Sequence, residues 1–394
     1  SHETVVSPRL NLSHPHLSLH AQSKLTEVAI FDFQAPAGMP TAYQYDLMLD
    51  YVTEILPSAS GPGRRQHYAA VSTNRGWYVS MGMKAAEANT TLTDDERKLE
   101  DLWFAPRVPH PNDPVRNWTK LYPTDCTGAN DASVIPKARH WHHLAAVGDV
   151  LFLFGGEVFD GGSDDTIYRF NAENKCWMAP LTTKVSLSPT AGVTALPFLP
   201  TTISGVTASS WVFVADLTSN TLLGLALDTD ELITLPLASD ALKDIDVTSN
   251  VCMAFIPTLD PNGQGATTNV NGKLIVGGLA ASSEGAQYVM VHVSLADPEN
   301  FAVTTHSAWL TGNSWAPTSC ITTQATDATT QKMVSVVMGV SATELAVPVS
   351  LYQPSPQECN ENLDAANDAL LLQCRECPSE TFAKNGFCAP CSEE

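Results

Sequence analysis

Short apolar runs separated by turn residues dominate residues 139–181. Two wholly apolar runs, at residues 144–147 and 150–154, flank a Gly-Asp pair, and an alternating run follows at residues 166–170. Trp177 opens a last run beyond a polar turn. Runs of four or five residues bounded by glycine and aspartate are typical of antiparallel strands rather than of helices. The pattern therefore predicts a single four-stranded antiparallel sheet.

The same order of runs returns along the chain, although its spacing becomes less regular away from this segment. A sequence that repeats one sheet unit is typical of a repeat architecture. The recurrences span residues 64–122, 188–237, 247–311 and 314–352, and three further runs precede them at residues 29–33, 43–49 and 52–56.

The clearest unit also carries a particular set of side chains around its strands. They are Arg139 and His142 before the first strand, Gly155 and Gly156 after the second, Tyr168 in the third and Trp177 near the fourth. This set resembles a kelch repeat, which forms one blade of a β-propeller. Partial copies of the set stand at Arg64, His67, Gly277 and Gly278. The resemblance implies that the arginine and the histidine support the first strand of a blade, which is a structural role.

The resemblance and the number of units predict an all-β fold, a kelch-like β-propeller. Six blades fit the spacing best, and five or seven are also compatible with it. We expect the N-terminal runs to join the last strands of the propeller in one shared blade, because such closure protects strand edges. The predicted domains are an N-terminal extension at residues 1–24, the propeller at 25–353, and a C-terminal part at 354–394. This last part comprises a linker, a short helix at residues 364–372 and a small disulfide-rich module.

Four cysteines near the C terminus, Cys374, Cys377, Cys388 and Cys391, follow the pattern C-x2-C-x10-C-x2-C. Four thiolates at this spacing suit a zinc ion, and they equally suit disulfides that support a segment too short to form its own core. The segment resembles the ephrin-receptor-like module, an EGF/TNFR-like cysteine-rich unit of extracellular proteins, although Glu380 stands where that family usually has glycine. The resemblance implies disulfides and not zinc. The implied pairs are Cys374 with Cys388 and Cys377 with Cys391.

Five more cysteines lie elsewhere in the chain, and their odd number leaves at least one thiol free or paired outside it. Cys252 and Cys320 stand near the first strands of neighbouring units, where a bridge between blades and a buried free thiol are both compatible with the sequence. Cys359 precedes the C-terminal module and joins the predicted disulfide cysteines. Cys126 and Cys176 are left without an assigned partner.

The charge and the sequence motifs limit the cellular compartments and the classes of partner that fit this chain. The 394 residues carry a net charge of −21, which opposes binding to nucleic acid and to anionic lipid. No apolar run is long enough for a membrane span. N-glycosylation sequons occur at Asn11, Asn89 and Asn117. Together with the cysteine-rich tail they indicate an extracellular protein with disulfides and glycans.

Two polar clusters offer candidate ligands or catalytic groups. They are the histidines His140, His142 and His143, and the loop carboxylates Asp160, Asp164 and Asp165. Repetition of the Arg/His pair favours scaffolding for the first cluster. A spacing unlike that of a calcium-binding loop favours a solvated loop for the second. The sequence also contains none of the common nucleophile, phosphate, zinc-protease or dinucleotide motifs, so we predict no enzymatic activity, no metal and no cofactor.

The predicted function is that of a secreted structural or adhesion protein. Its propeller would bind other extracellular proteins or glycans within a larger assembly, since long loops on a rigid scaffold commonly carry binding sites. The alternative is an extracellular carbohydrate-active enzyme or lectin with a site at the propeller mouth. The copper-radical oxidases use a kelch-like propeller with a Tyr–Cys crosslink, for which Tyr168 and Cys176 would be the candidates. Convergence of three or more histidines and tyrosines on one open pocket would favour this alternative.

Overall fold

The fold is built almost entirely from short antiparallel strands. The computed structural model describes the backbone of residues 18–21, 27–31, 42–46, 51–55, 61–73, 75–86, 91–106, 118–128, 131–196, 201–235, 237, 240–248, 251–257, 272–280, 287–295, 301–309, 317–326, 333–341, 350–352, 363–365, 374–376, 381–384 and 387–390. Side chains are described, with internal gaps, between residues 61 and 303. In this part of the chain no helix has the length and hydropathy needed to cross a bilayer.

The first two sheets come from the N-terminal third of the chain. The first sheet contains β1 (Ser18–Ala21), β2 (Glu27–Phe31), β3 (Ala42–Asp46) and β4 (Tyr51–Ile55), in that order. The next elements are β5 (Arg65–Gln66), β6 (Ala69–Ser72), β7 (Gly76–Ser80), β8 (Met83–Lys84), α1 (Asp94–Arg97), β9 (Leu102–Pro106) and β10 (Thr119–Leu121). In the second sheet the strand order is β6-β7-β9-β10, and β5 pairs with β8 beside it.

The third and fourth sheets follow the same plan. A 3₁₀ turn (Ala132–Val134) precedes β11 (Arg139–His140), β12 (His143–Val147), β13 (Val150–Phe154), β14 (Glu157–Val158), β15 (Tyr168–Asn171) and β16 (Cys176–Met178). The third sheet has the order β12-β13-β15-β16, with β11 paired to β14. Then come β17 (Gly192–Leu196), β18 (Thr201–Ile203), β19 (Val206–Ala208), β20 (Trp211–Asp216), β21 (Thr221–Ala226), β22 (Glu231–Thr234) and a 3₁₀ turn (Ala241–Asp244). The fourth sheet has the order β17-β20-β21-β22, and β18 and β19 form a separate hairpin.

The remaining sheets lie in the C-terminal part. The fifth sheet is formed in order by β23 (Cys252–Pro257), β24 (Gly272–Leu279), β25 (Gln287–Ser294) and β26 (Val303–Trp309). The sixth, with three strands, is formed by β27 (Pro317–Thr326), β28 (Met333–Ser341) and β29 (Ser350–Tyr352). Two pairs follow, β30 (Leu363–Ala365) with β31 (Cys374–Glu376) and β32 (Thr381–Lys384) with β33 (Phe387–Pro390).

The sheets are arranged like the blades of a propeller. The first strand of each sheet lies beside the first strands of its two neighbours. The adjacent pairs are β1 and β6, β6 and β12, β12 and β17, β17 and β23, β23 and β27, and β27 and β1. The first strands therefore face one another, while later strands of each sheet lie progressively further outward.

The core lies between neighbouring sheets, so the second strand of the third sheet, β13, is covered on both faces. In β13, Phe152 and Phe154 pack towards the fourth sheet, whereas Leu151 and Leu153 pack towards the second. Successive side chains of a strand point to opposite faces, so a strand covered on both sides is apolar at most of its positions. This double burial explains the continuous apolar run at Val150–Phe154. Each fully buried side chain of this size contributes about 1.5–3 kcal/mol of hydrophobic stabilisation.

Three sequence-based expectations about the ends of the chain need correction. The first sheet is complete with four strands of its own, so the prediction of a blade shared between the N- and C-terminal strands was wrong. Its strand β1 lies inside the segment expected to be an extension, and it is short and partly polar, which hid it. Residues 364 and 365, the first two of the expected helix at 364–372, belong to β30, which pairs with β31, and the remaining residues of that helix lie outside the described part of the chain.

Candidate functional site

A buried arginine organises the entrance to the third sheet. Arg139 has no exposed surface. Its Nη1 donates to the carbonyl oxygen of Gly155 at 2.9 Å, and its Nη2 donates to Asp164 at 2.8 Å. The guanidinium lies 4.9 Å from the ring centroid of Tyr168, whose hydroxyl also donates to Asp164. The arginine thus joins the end of β13 to the loop that leads into β15.

The second sheet contains the same arrangement around Arg65. Its Nη1 donates to the carbonyl oxygen of Met81 at 3.0 Å, and its two Nη atoms bind the carboxylate of Asp101 at 2.7 and 2.9 Å. Asp101 also accepts a hydrogen bond from Trp103. The structure thus places Arg65, and not the preceding Arg64 of the sequence-based match, at the position equivalent to Arg139.

Hydrogen bonding keeps the two partner carboxylates ionised. Burial raises the pKa of Asp164, but hydrogen bonds from Thr166, Arg139 and Tyr168 outweigh burial and lower the pKa to about 2. Burial likewise raises the pKa of Asp101, and the bond to Arg65 and its charge outweigh it, so the net change is downward. Both carboxylates are therefore ion-paired with arginine and are not available to bind another ion.

We expect the Arg139–Asp164 contact to lose its stabilising effect in acid. The pKa of Asp164 in the folded protein, about 2, lies below its ordinary value of 3.8, so folding favours the ionised carboxylate. Its contribution is complete above about pH 5 and is lost progressively as the pH falls through 3.8 towards 2. Urea unfolding between pH 6 and 2 would measure the difference in stability between the native chain and Asp164→Asn. This difference should shrink in acid, and a constant difference would contradict the assignment.

The neighbouring histidines connect adjacent sheets. His142 is buried, and its Nε2 lies 2.6 Å from the hydroxyl oxygen of Ser80 in β7. Burial, followed by the charge of Arg139, holds the pKa of His142 well below its usual range. The ring of His143 contacts the backbone carbonyl of Ser188, which precedes the fourth sheet. These histidines serve contacts between sheets rather than converging on one open pocket.

Four aromatic and imidazole rings form a continuous surface at this junction, which we call the ring strip: Trp141, His67, His140 and Phe159. Trp141 stacks on His67 with 3.5 Å between ring centroids, and His140 stacks on Phe159 at 5.0 Å. His67 and His140 approach edge to face at 6.5 Å and join the two stacks. All four residues are partly exposed. The ring strip therefore brings partly exposed rings from two sheets into contact with one another.

Backbone contacts hold the ring strip in place. The amide of Trp141 donates to the carbonyl oxygen of His67 at 3.1 Å, and the amide of Gly82 donates to that of Arg139 at 3.1 Å. His67 and Trp141 also share an uncommon left-handed conformation, with φ of 54° and 59°. Non-glycine residues adopt this conformation only when surrounding contacts fix it. The loops that carry the rings are thus fixed relative to each other.

Gly156 is required where β13 meets this surface. Its φ is +90°, and a Cβ atom there would lie 2.7 Å from the carbonyl oxygen of His140 and 2.8 Å from Cβ of His142. Gly162 has nearly the same φ, +93°, but open space around it. We expect Gly156→Ala to lower the free energy of unfolding by about 1–3 kcal/mol more than Gly162→Ala. Urea denaturation of both variants measures this difference, and equal losses would mean that only backbone strain matters.

Curated proteins show a partial similarity to this chain. No family model matches it. Over 120 residues, or 30% of the chain, it is 28% identical to Kelch domain-containing protein 3 from Bos taurus, and the proteins of that name from Rattus norvegicus and Homo sapiens match to the same extent. The match spans 28% of the length of these relatives. Together with the arrangement of the sheets, this similarity supports a kelch β-propeller.

A disulfide that the sequence did not reveal fastens the propeller between its second and third sheets. Cys126 bonds to Cys176 at the outer strand β16. The amide of Trp177 donates to the carbonyl oxygen of Thr124 at 2.8 Å, and the amide of Cys126 donates to that of Trp177 at 2.8 Å. Residues 122–128, which we call the strap, therefore run along the outer edge of β16. Each cysteine lies next to a strand that the sequence predicts as the outer strand of its unit. This shared position is the sequence signal that could have indicated their pairing.

The strap is also fixed by a buried aspartate. The carboxylate of Asp125 accepts hydrogen bonds from the amide and hydroxyl of Thr127 and from the amide of Asp131. Asp125 is 4% exposed, whereas Cys126 is exposed to solvent. The disulfide therefore lies within reach of a reductant while its backbone support is internal.

The loop carboxylates of the third sheet have structural partners. Asp164 serves Arg139, while Asp160 accepts from Lys98 at 3.3 Å and Asp165 lies 3.3 Å from Lys184. Among the described residues, no group of three histidine, cysteine or acidic side chains could hold a metal ion.

Several predicted site residues fall outside the described part of the chain or have undescribed side chains. Outside it lie the sequons Asn11, Asn89 and Asn117 and the cysteines Cys359, Cys377 and Cys391. Backbone positions alone are given for Cys252 in β23, Cys320 in β27, Cys374 in β31 and Cys388 in β33. The strands β23 and β27 are neighbours, and the Cys252–Cys320 bridge stays a prediction. Gly277 and Gly278 lie within β24, unlike Gly155 and Gly156, which follow β13.

Proposed function

We propose that this chain is an extracellular protein whose kelch-like propeller serves as an interaction platform for other proteins or glycans in a larger assembly. The ring strip carries this proposal. It offers four partly exposed rings on loops held by hydrogen bonds between sheets. Rigid aromatic side chains give a large contact area at low cost in conformational entropy, which suits them to recognition.

We further infer six blades. The adjacency of first strands supports this number, because β1 lies beside both β6 and β27. The sequence argument reached six blades by adding one blade shared between the two chain ends. The number inferred from the structure rests instead on six separate sheets of three or four strands.

An extracellular location is supported by the disulfide. Cys126 is exposed, and an exposed disulfide persists in oxidising compartments but is reduced in the cytosol. The cysteine-rich C-terminal pattern and the three sequons agree with this location. Intact mass before and after deglycosylation and reduction tests it. A protein from its native source without glycans, and with all nine thiols free, would contradict an extracellular location.

The alternative of a carbohydrate-active enzyme is less well supported. Cys176 is bonded to Cys126, so its sulfur is not available for a crosslink to Tyr168. Kelch domain proteins are, in general, interaction scaffolds without enzymatic activity. The histidines of the third sheet hold neighbouring sheets together, as a scaffold requires.

A cross-linking experiment tests the platform. The full chain, secreted from a eukaryotic host, is incubated with a mixture of secreted proteins and a cleavable cross-linker, and probed in parallel on a glycan array. We expect partner contacts at residues 64–68 and 139–143 that are lost in the double variant Trp141→Ala, Phe159→Ala. The matched control Asn174→Ala changes an exposed residue at the opposite end of the third sheet and should keep them. Contacts that depend on Asn174 and not on the ring strip would refute the proposal.

A further inference from the structure

A cavity of about 620 Å³ lies between the outer strands of the second and third sheets. Its floor is apolar and is formed by Met81, Leu102, Leu121 and Trp177, each less than 10% exposed. Cavities of about 300–1,000 Å³ are of the size that receives ligands or anchoring side chains. We call this cavity the interblade groove. It is separate from the ring strip, because no residue of the strip lines it.

One wall of the interblade groove is the strap. Tyr122 and Pro123 line the groove immediately before the residues that pair with β16. Tyr122 is 80% exposed, an unusual state for a large aromatic side chain. The disulfide at Cys126 holds this wall covalently to the third sheet. The groove is thus preformed, and binding there would not require ordering of the strap.

The opposite rim is acidic. Asp95 and Glu100 line the groove, and Glu100 is 70% exposed. Asp95 belongs to α1, whose first turn is stabilised by a capping box in which Thr93 and Glu96 bond to each other. A carboxylate on the rim of an apolar groove favours a cationic partner through Coulomb attraction.

The basic residues of the groove are partly neutralised by carboxylates. Lys98 lies 3.3 Å from Asp160 and 3.6 Å from Glu100. Lys120 lies over the ring of Tyr122, and its Nζ is 5.5 Å from the ring centroid. Of the basic residues that line the groove, it is the one that has no carboxylate within ion-pair distance among the described residues. The chain as a whole carries a net charge of −21. An approaching partner therefore meets a negative field from the whole chain, which Lys120 and the pairing of Lys98 with Glu100 reduce locally.

We propose that the interblade groove binds an extended segment of a partner protein that inserts one apolar side chain between flanking lysine or arginine residues. The apolar side chain fills the floor over Trp177 and Leu121, and the basic residues contact Asp95 and Glu100, because Lys120 already lies over the ring of Tyr122. This inference rests on the proposed function, because it names the class of partner that the platform would recognise.

Binding of defined peptides tests the proposal. The probes are fluorescein-labelled synthetic peptides in which phenylalanine, or serine as its polar match, is flanked by two lysines on each side, and a third in which glutamates replace the lysines. Fluorescence anisotropy with the full, oxidised chain should show at least tenfold tighter binding of the lysine–phenylalanine peptide than of the other two. Equal binding of the phenylalanine and serine peptides would overturn the proposal, since it would reflect charge alone.

Charge substitutions at the rim locate the site. Asp95→Lys should weaken binding of the lysine–phenylalanine peptide about tenfold, whereas Lys120→Glu should strengthen it by several fold. Asp244→Lys makes the same charge change as Asp95→Lys at an exposed position outside the groove and should have little effect. Equal weakening by Asp95→Lys and Asp244→Lys would overturn the proposal, because the attraction would then come from the whole surface.

Two outcomes separate this inference from the proposed function. If no peptide binds while the contacts that depend on the ring strip persist, the groove is not a peptide site and the platform stands. If a neutral oligosaccharide such as cellohexaose displaces the peptide competitively, the groove recognises sugar and the proposal of a basic protein segment is wrong.

Discussion

Replacing Arg65 with methionine is expected to lower the free energy of unfolding by about 3–5 kcal/mol. Arg65 is 1% exposed, and its removal would leave Asp101, itself 8% exposed, as a buried carboxylate without its cation. It would also leave the carbonyl oxygen of Met81 without its donor. Unpaired buried charges are among the few single changes that cost this much. Urea denaturation followed by tryptophan fluorescence gives the value.

The preceding residue provides a matched control. Arg64→Met removes the same charge one position away, where the side chain is partly exposed, and should cost about 1 kcal/mol or less. The double variant Arg65→Met, Asp101→Asn should recover part of the loss, because the orphaned carboxylate is then gone. A larger effect of Arg64→Met than of Arg65→Met would show that the sequence-based register was right and the structural one wrong.

Removal of the disulfide is the second change with a large expected effect. The bond joins residues separated by 50 positions, and closing a loop of this length in the unfolded chain corresponds to about 4 kcal/mol of stability. The double variant Cys126→Ser, Cys176→Ser should therefore unfold at a clearly lower urea concentration than the native chain. It should keep the same fold, because Asp125 and the backbone bonds to Trp177 still hold the strap.

Hydrogen exchange distinguishes a local effect from a global one. In the double serine variant, the backbone amides at positions 126 and 177, whose bonds join the strap to β16, should lose protection before the amides of β13 do. The same order should appear when the native chain is reduced. Unchanged urea midpoints in the variant and in the reduced native chain would mean that the bond adds no stability.

The third sheet could be predicted in detail because its second strand, β13, is buried on both faces and the strands around it are bounded by clear turn residues. Val150–Phe154 was predicted with the observed bounds, since a continuous apolar run between a Gly-Asp turn and two glycines has few other interpretations. The first strand of the fourth sheet, β17, was missed. The hairpin β18–β19 separates β17 from its partner β20, and pairing at such a distance leaves no local signal. The turns of this sheet also contain few glycines, so the residues that mark strand ends in the third sheet are largely missing here.

The site was only partly readable from the sequence. The resemblance to a kelch repeat picked out Arg139 and Tyr168, which the structure joins through Asp164. Two adjacent arginines at 64 and 65 made the second copy ambiguous, because spacing alone cannot tell which of them is buried. The partner carboxylates were not recognisable at all. Asp101 directly precedes β9, whereas Asp164 stands four residues before Tyr168, so the two share no sequence position.

The covalent link between Cys126 and Cys176 also changes how the molecule would respond to mechanical load. When the two chain ends are pulled, tension passes through the sulfur atoms and bypasses the residues between them, which include β11–β15. That stretch, about 170 Å when fully extended, stays hidden until the bond is cleaved. A pulling experiment would then show the third sheet intact while its neighbours unravel, and would release the extra contour length only after a reductant is added.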